Sequence, residues 1–408
     1  MMIFKRALCY VMIALMLGVS AANGYDTLAT DEFYTLTGSL GEGETVSIPT
    51  ISNKEVLELA APSAILIERA TGELLYEQAA DEPRAIASIT KIMTMILVME
   101  AIENGKISLQ DKVNVSEHAY SMGGSQIWLE PGEELTVDEM LKAVAVASAN
   151  DAAVALAEHV SGGEPSFVAE MNRRAAELGM VNTVFKNSNG LDEDGHISCA
   201  RDVAEMSREV LRHELVRKYI TIWQEELRGG ETELTNTNKM LKSFSGTTGI
   251  KTGTTNKAGV CISASAERDG MELIAVVLGC PDSASRFASA RTLLEYGFAN
   301  YELAKTEINP EDVTPIKVKG GIKEYCALQY DIPKSIVVDK GKKEAITFET
   351  DIAAALEAPV EKGQTVGTIS VYAEGQMLGQ YDVFAAESVD RITFGSGWKL
   401  LFESLVHM

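Results

Sequence analysis

Residues 92–99 read Ile-Met-Thr-Met-Ile-Leu-Val-Met, a run that is apolar on nearly every side of a helix rather than along one stripe. Such a helix has no face to offer water, so the rest of the chain must enclose it. Asn104-Gly105 behind it supplies a left-handed C-terminal cap. In front of it stand Ser88 and Lys91, whose spacing places a hydroxyl and an amine on one helix face, about a turn apart. A serine there can act as a nucleophile and a lysine as its base. Alone, Ser-x-x-Lys reads more readily as a helix cap followed by a surface lysine, so its context has to decide.

The chain has 408 residues, enough for two or three domains and a sizeable core. Lys+Arg number 36 against 59 Asp+Glu, a formal charge of −23, which argues against a nucleic-acid partner. Lys5 and Arg6 precede an apolar stretch from Ala7 to Val19, with small residues for cleavage at Val19-Ser20-Ala21 or at Ala22-Asn23-Gly24. This pattern predicts a secretory signal peptide over 1–21 and an exported, extracytoplasmic protein. The alternative is a short membrane anchor, but the run falls short of the ~20 residues a span requires. With Cys9 inside the signal, Cys199, Cys261, Cys280 and Cys326 remain, with no Cys-x-x-Cys. Cys261 and Cys280 fall on two predicted neighbouring strands, as a pair or as buried free thiols. None of the five histidines has metal-ligand spacing, so no metal and no cofactor are expected.

Residues 22–55 read as a polar arm. Ala64 to Glu68 and Glu73 to Tyr76 predict a hairpin around Ala70-Thr71-Gly72. Thr136-Val137-Asp138-Glu139 is a capping box opening a helix through Ala147, which Ser148-Ala149-Asn150 interrupts before helix resumes to Val160. Phe167 to Leu178 and Arg201 to Ile222 continue the helical pattern. Val260 to Ala266 and Leu273 to Leu278 form a second hairpin, and Arg286 to Tyr296 a closing helix. Strands at both ends of residues 56–305 with helices between them predict an α+β domain, an antiparallel sheet covered by a helical cluster. Residues 306–387 carry turn signals at strand spacing and read as a small all-β domain. Residues 388–408 hold Val389, Ile392, Phe394, Trp398, Leu401, Phe402 and Leu405. They predict an amphipathic segment that either lies in a membrane interface or docks on the protein.

Three motifs stand in order: Ser88-x-x-Lys91, Ser148-Ala149-Asn150 and Lys251-Thr252-Gly253. The Ser and Asn of the middle motif are also plausible helix caps. Together the three match the motif set of penicillin-interacting serine enzymes. With the loop from Asn189-Gly190-Leu191 to His196, Ala200-Arg201-Asp202, and the order of segments, nearly the whole chain resembles the low-molecular-mass penicillin-binding proteins, the serine D-alanyl-D-alanine carboxypeptidases.

The resemblance implies a transpeptidase-like fold for residues 56–305. It implies peptidoglycan stem peptides ending in D-Ala-D-Ala as substrate, β-lactams as covalent ligands, and the outer face of the cytoplasmic membrane as the site of residues 388–408. Ser88 would be the nucleophile and Lys91 its base. Ser148 would relay a proton to the leaving amine, and Asn150 would bond the substrate backbone. Lys251 and Thr252 would hold the terminal carboxylate, and Gly253 would let the substrate approach the strand. The N–H groups of Ser88 and Thr254 would form the oxyanion hole. Ala149 and Thr254 depart from relatives that carry glycine or aspartate, and histidine, at those places. A class A β-lactamase would need a glutamate-bearing loop, and the region after Ser161 offers only Glu164 and Glu170. A D-alanyl endopeptidase would share the fold, and a non-catalytic wall-binding protein need not keep Ser88, Lys91, Ser148 and Lys251 together.

Overall fold

The computed structural model describes residues 56–398. The expected signal peptide and arm, and residues 399–408, lie outside the described residues. The five-stranded sheet is built from β1 (Ser63–Glu68), β2 (Leu74–Gln78), β3 (Thr247–Thr255), β4 (Gly259–Arg268) and β5 (Met271–Cys280). Its order is β2-β1-β5-β4-β3, every pair antiparallel. The chain ends of the domain therefore meet in one sheet, as the two predicted hairpins require, and β3 is an edge strand.

Both faces of the sheet are covered, so its central strands are apolar almost without interruption. In β1, Ile65 and Ile67 pack in the helical core while Ala64 and Leu66 pack on the opposite side; in β5, Ile274, Val276 and Leu278 alternate in the same way with Leu273, Ala275 and Val277. The helical side holds α1 (Lys91–Glu103), α2 (Val137–Lys142), α3 (Asn150–Ser161), α4 (Glu164–Glu177) and α5 (Ala200–Val210). The opposite side is closed by α6 (Ser283–Asn300), capped by Asp282. As its sequence demands, α1 is enclosed, with Ile92 to Val98 buried, Thr94 included. Gly105 takes the left-handed conformation (φ 68°) behind it.

Tyr301–Lys305, assigned by its sequence to the sheet-and-helix domain, is instead a strand paired with Ser335–Asp339 of the β-rich region. That region contains a four-stranded sheet from Leu328–Tyr330, Gln376–Ala385, Thr365–Ala373 and Ile346–Ile352, in that order. Its core gathers Ile316, Val318, Cys326, Ile369 and Val383.

The C-terminal segment differs from its predicted helix at its start. Val389 is fully buried in the β core and pairs with Val360, and Ile392 N donates to Gly320 O. Helix begins only at residue 394, because Val389 gains more from the β core than from an exposed helical stripe. Among the described residues the four cysteines, Cys199, Cys261, Cys280 and Cys326, are free and buried. A short hairpin, Gln224–Leu227 with Thr232–Thr235, escaped the sequence reading because its strands are rich in glutamate.

Candidate active site

The chain turns sharply into α1. Ala87 takes φ 50°, a conformation unusual for a residue with a Cβ, and a single 3₁₀ turn, Ala87–Thr90, carries Ser88 into the helix. The turn is held from two sides. A Cβ on Gly253 of β3 would lie 2.8 Å from Ile86 O and 3.0 Å from Ser88 N. A Cβ on Gly190 would lie 2.0 Å from Ala87 O. The missing side chain of Gly253 thus admits the nucleophile-bearing turn against the strand, a role beside the room for substrate that the sequence suggested.

Lys91 is fully buried. Its Nζ lies 2.9 Å from Ser88 Oγ, 2.6 Å from Asn150 Oδ1 and 2.6 Å from Asn189 O. Asn150 Nδ2 donates to Gly123 O at 2.6 Å, which fixes the amide with its oxygen toward the lysine. Two of the three partners can only accept, so a neutral amine donates to both and turns its lone pair to the Ser88 hydroxyl. Burial, and then the nearby charge of Lys251, hold the Lys91 amine well below its ordinary pKa, against a smaller opposing pull from Asp151. Asn150, expected to bond the substrate backbone, also positions Lys91 through its Oδ1, while Gly123 O takes one of its two amide N–H groups.

Ser148 arrives by another irregularity. After α2 the chain widens into a π-helical turn, Ala143–Ala147, and Ser148 follows at φ 61°. Wide turns of this kind recur at functional sites. The N-cap position of α3 falls on Ala149, with no side-chain cap; Ser148 Oγ accepts from Lys251 Nζ at 2.8 Å, across 103 residues of sequence. Lys251 also donates to Thr252 O at 2.9 Å. It is almost fully buried, and burial together with the Arg286 charge pulls its pKa down to about 7. Thr252 Oγ1 donates to Thr237 Oγ1 at 2.6 Å, and Thr254 lies on the same edge strand with its hydroxyl on Gly253 O.

All eight residues singled out in the sequence therefore lie on the four segments that converge here: the turn into α1, the π-turn, the N-terminus of α3 and β3. The sequence gave no role to several others. Asp151, beside Asn150, accepts from Ile127 N and Leu129 N and pins the loop that holds Asn150. His196 accepts from Lys186 N at Nδ1, leaving Nε2–H for Thr90 Oγ1 at 2.8 Å. Burial keeps this histidine neutral, with its pKa lowered to about 4. Asn189 and Gly190 were visible as an Asn-Gly loop, but nothing in the sequence linked that loop to a lysine 98 residues away. Glu164, the nearest candidate for a lactamase-type glutamate, is occupied by Ser188 and His118, and Glu170 pairs with Arg173.

Comparison with known proteins agrees with this geometry. The family model described as D-alanyl-D-alanine carboxypeptidase matches residues 49–282, and that of the penicillin-binding protein 5 C-terminal domain matches residues 304–391. The chain is 44% identical over 347 residues to the D-alanyl-D-alanine carboxypeptidase DacF of Bacillus subtilis, covering 84% of this chain and 89% of the relative. Penicillin-binding protein 5 of Haemophilus influenzae superposes with a TM-score of 0.76 at 30% identity, covering 83% of this chain and 99% of that one. Penicillin-binding protein D2 of Listeria monocytogenes, solved in its cefotaxime-bound form, superposes with a TM-score of 0.56 at 34% identity, covering 60% and 100%. With the paired serine–lysine sites and two adjoining family matches on one chain, the protein belongs to the D-alanyl-D-alanine carboxypeptidase family of serine peptidases.

Proposed function

We infer that this chain is a serine D-alanyl-D-alanine carboxypeptidase that removes the terminal D-alanine of peptidoglycan stem pentapeptides and is acylated by β-lactams. The observation that carries the reading is the buried Lys91, whose only proton-donating partner is Ser88. Ser88 Oγ attacks the carbonyl between the two D-alanines, and its proton passes to Lys91. The N–H groups of Ser88 and Thr254 receive the oxyanion; a donor of this kind contributes roughly 3–4 kcal/mol to the transition state. The proton reaches the leaving amine through Ser148, which Lys251 orients. Lys251 and Thr252 hold the free carboxylate, which restricts cleavage to a chain end. Water then releases the acyl group and restores Ser88.

The enzyme works outside the cytoplasm: the basic and apolar N-terminus supports export. Of residues 388–408, the part beyond the buried Val389 rests on the outer face of the membrane, supported by the exposure of Phe394 (84%) and Trp398 (60%). Among the described residues no helix is long and apolar enough to cross a membrane. Residues 56–300 form the catalytic part and residues 301–391 a separate β-rich part, a division supported by the two successive family matches and by the pairing of Tyr301–Lys305. The test is D-alanine release from a stem pentapeptide by the mature protein and by Ser88→Ala. Release by the wild type alone is expected. Equal release by both would exclude Ser88, and release by neither would exclude carboxypeptidase action.

A further inference from the structure

At the end of α1 opposite Lys91, about 18 Å along the helix, lies a second cluster of titratable side chains that the reaction does not use. His213 follows α5 and is 7% exposed. Its Nδ1 lies 2.8 Å from Glu103 Oε1, while its Nε2 is enclosed and has no hydrogen-bond partner. A ring nitrogen of His213 and one carboxylate oxygen each of Glu100 and Glu209 lie within 4.8 Å of one another. Arg174 donates to Oε1 of Glu100 at 2.7 Å and to Oε1 of Glu209. Glu209 Oε2 receives only a 3.4 Å bond from Arg212, a residue whose side chain is 73% exposed.

We propose that Glu100, Glu209 and His213 bind a divalent transition-metal ion of the Zn2+ class. Glu103 accepts the Nδ1–H of His213 and so leaves the lone pair on Nε2, the carboxylate–imidazole arrangement that orients metal-binding histidines. That lone pair is buried and faces no donor, which is costly unless a cation fills the space. The charges point the same way. Glu177 is taken by Arg173, and Glu100, Glu103 and Glu209 stand against the guanidiniums of Arg174 and Arg212, so these acidic groups carry one negative charge more than the arginines. One imidazole nitrogen and two carboxylate oxygens suit Zn2+ at about 2.0–2.2 Å, with water in the fourth position. Ligand atoms in such a site sit roughly 3.3 Å apart, so the side chains close by about an ångström and a half. Arg174 keeps the Oε1 atoms and becomes the outer partner of both carboxylates. The ligands come from α1 and from the end of α5, so histidine spacing in the sequence conceals them. The ion would tie the end of the helix that carries Lys91 to α5.

The experiment is calorimetric titration of ZnCl2 into the chelator-treated full chain, for the wild type, His213→Gln and Glu209→Gln, with thermal unfolding followed by circular dichroism. One site per chain is expected in the wild type, weakened at least tenfold in each variant, with a Zn2+-dependent rise in melting temperature in the wild type alone. Absence of a stoichiometric site, or unchanged binding by His213→Gln, would overturn the proposal. Should either variant fail to fold, the wild type decides through the 15N resonance of His213 Nε2. A Zn2+-induced shift of that nitrogen supports the site and an unmoved resonance refutes it.

Discussion

Ser88 Oγ stands 2.9 Å from Lys91 Nζ, and the other two partners of that nitrogen, Asn150 Oδ1 and Asn189 O, cannot give it a proton. The arrangement suits an amine that works neutral. Lys91→Arg cannot supply one, since guanidinium does not deprotonate in proteins. Both Lys91→Arg and Lys91→Met are expected to lower the rate of acylation by a fluorescent penicillin at least about a hundredfold, the usual range for a lost general base. Asn150→Asp should act more subtly. A carboxylate beside Lys91 favours its charged form, so the acid limb of the pH–acylation profile moves to higher pH; an unmoved limb would separate Lys91 from that limb.

Lys251 must be charged to hold a carboxylate, and its pKa in the free protein is pulled down to about 7 by burial and Arg286. The cation is therefore lost as pH rises through about 7. kcat/KM for a pentapeptide is expected to fall over that range. Bound carboxylate restores the charge, so kcat declines only at higher pH. Stopped assays at saturating and limiting substrate separate the two, since kcat/KM reports the free enzyme.

Gly190→Ala places a methyl group 2.0 Å from the carbonyl oxygen of Ala87, at a φ of 86° that alanine rarely adopts. Backbone on one side and strain on the other leave no cheap relief. The variant should lose more than about 3 kcal/mol of stability and most of its acylation rate together. Chemical denaturation and penicillin labelling check both.

His196 has its pKa lowered from 6.5 to about 4 by burial. The unfolded chain binds this proton first, so stability falls as pH drops from about 6.5 to about 4 and levels below that. The whole effect is about 3 kcal/mol. His196→Gln should flatten this part of the stability–pH curve, measured by urea unfolding at stepped pH.

Much of the fold was legible because local pattern and burial agreed. The apolar run at 92–99 demanded enclosure, Thr136 and Glu139 form the capping box their spacing announced, and the two hairpins meet in one sheet. What escaped depended on distant partners. Val389 reads as one member of a helical stripe until Val360 is beside it. Gly253 reads as room for substrate, and its second use, seating Ile86 and Ser88 against the strand, shows only in the fold. Asn150 reads as a substrate ligand, and its bonds to Lys91 and Gly123 show only once the fold brings those residues beside it. The left-handed turns at Ala87 and Ser148 had no sequence signal, since neither is the glycine or asparagine that usually marks one.

The most direct measurement is the intact mass of the mature protein after exposure to a β-lactam, followed by peptide mapping. One adduct per chain is expected, carried on the peptide containing Ser88 and absent from Ser88→Ala. An adduct on another residue, or none on a folded wild type, would contradict Ser88 as the nucleophile.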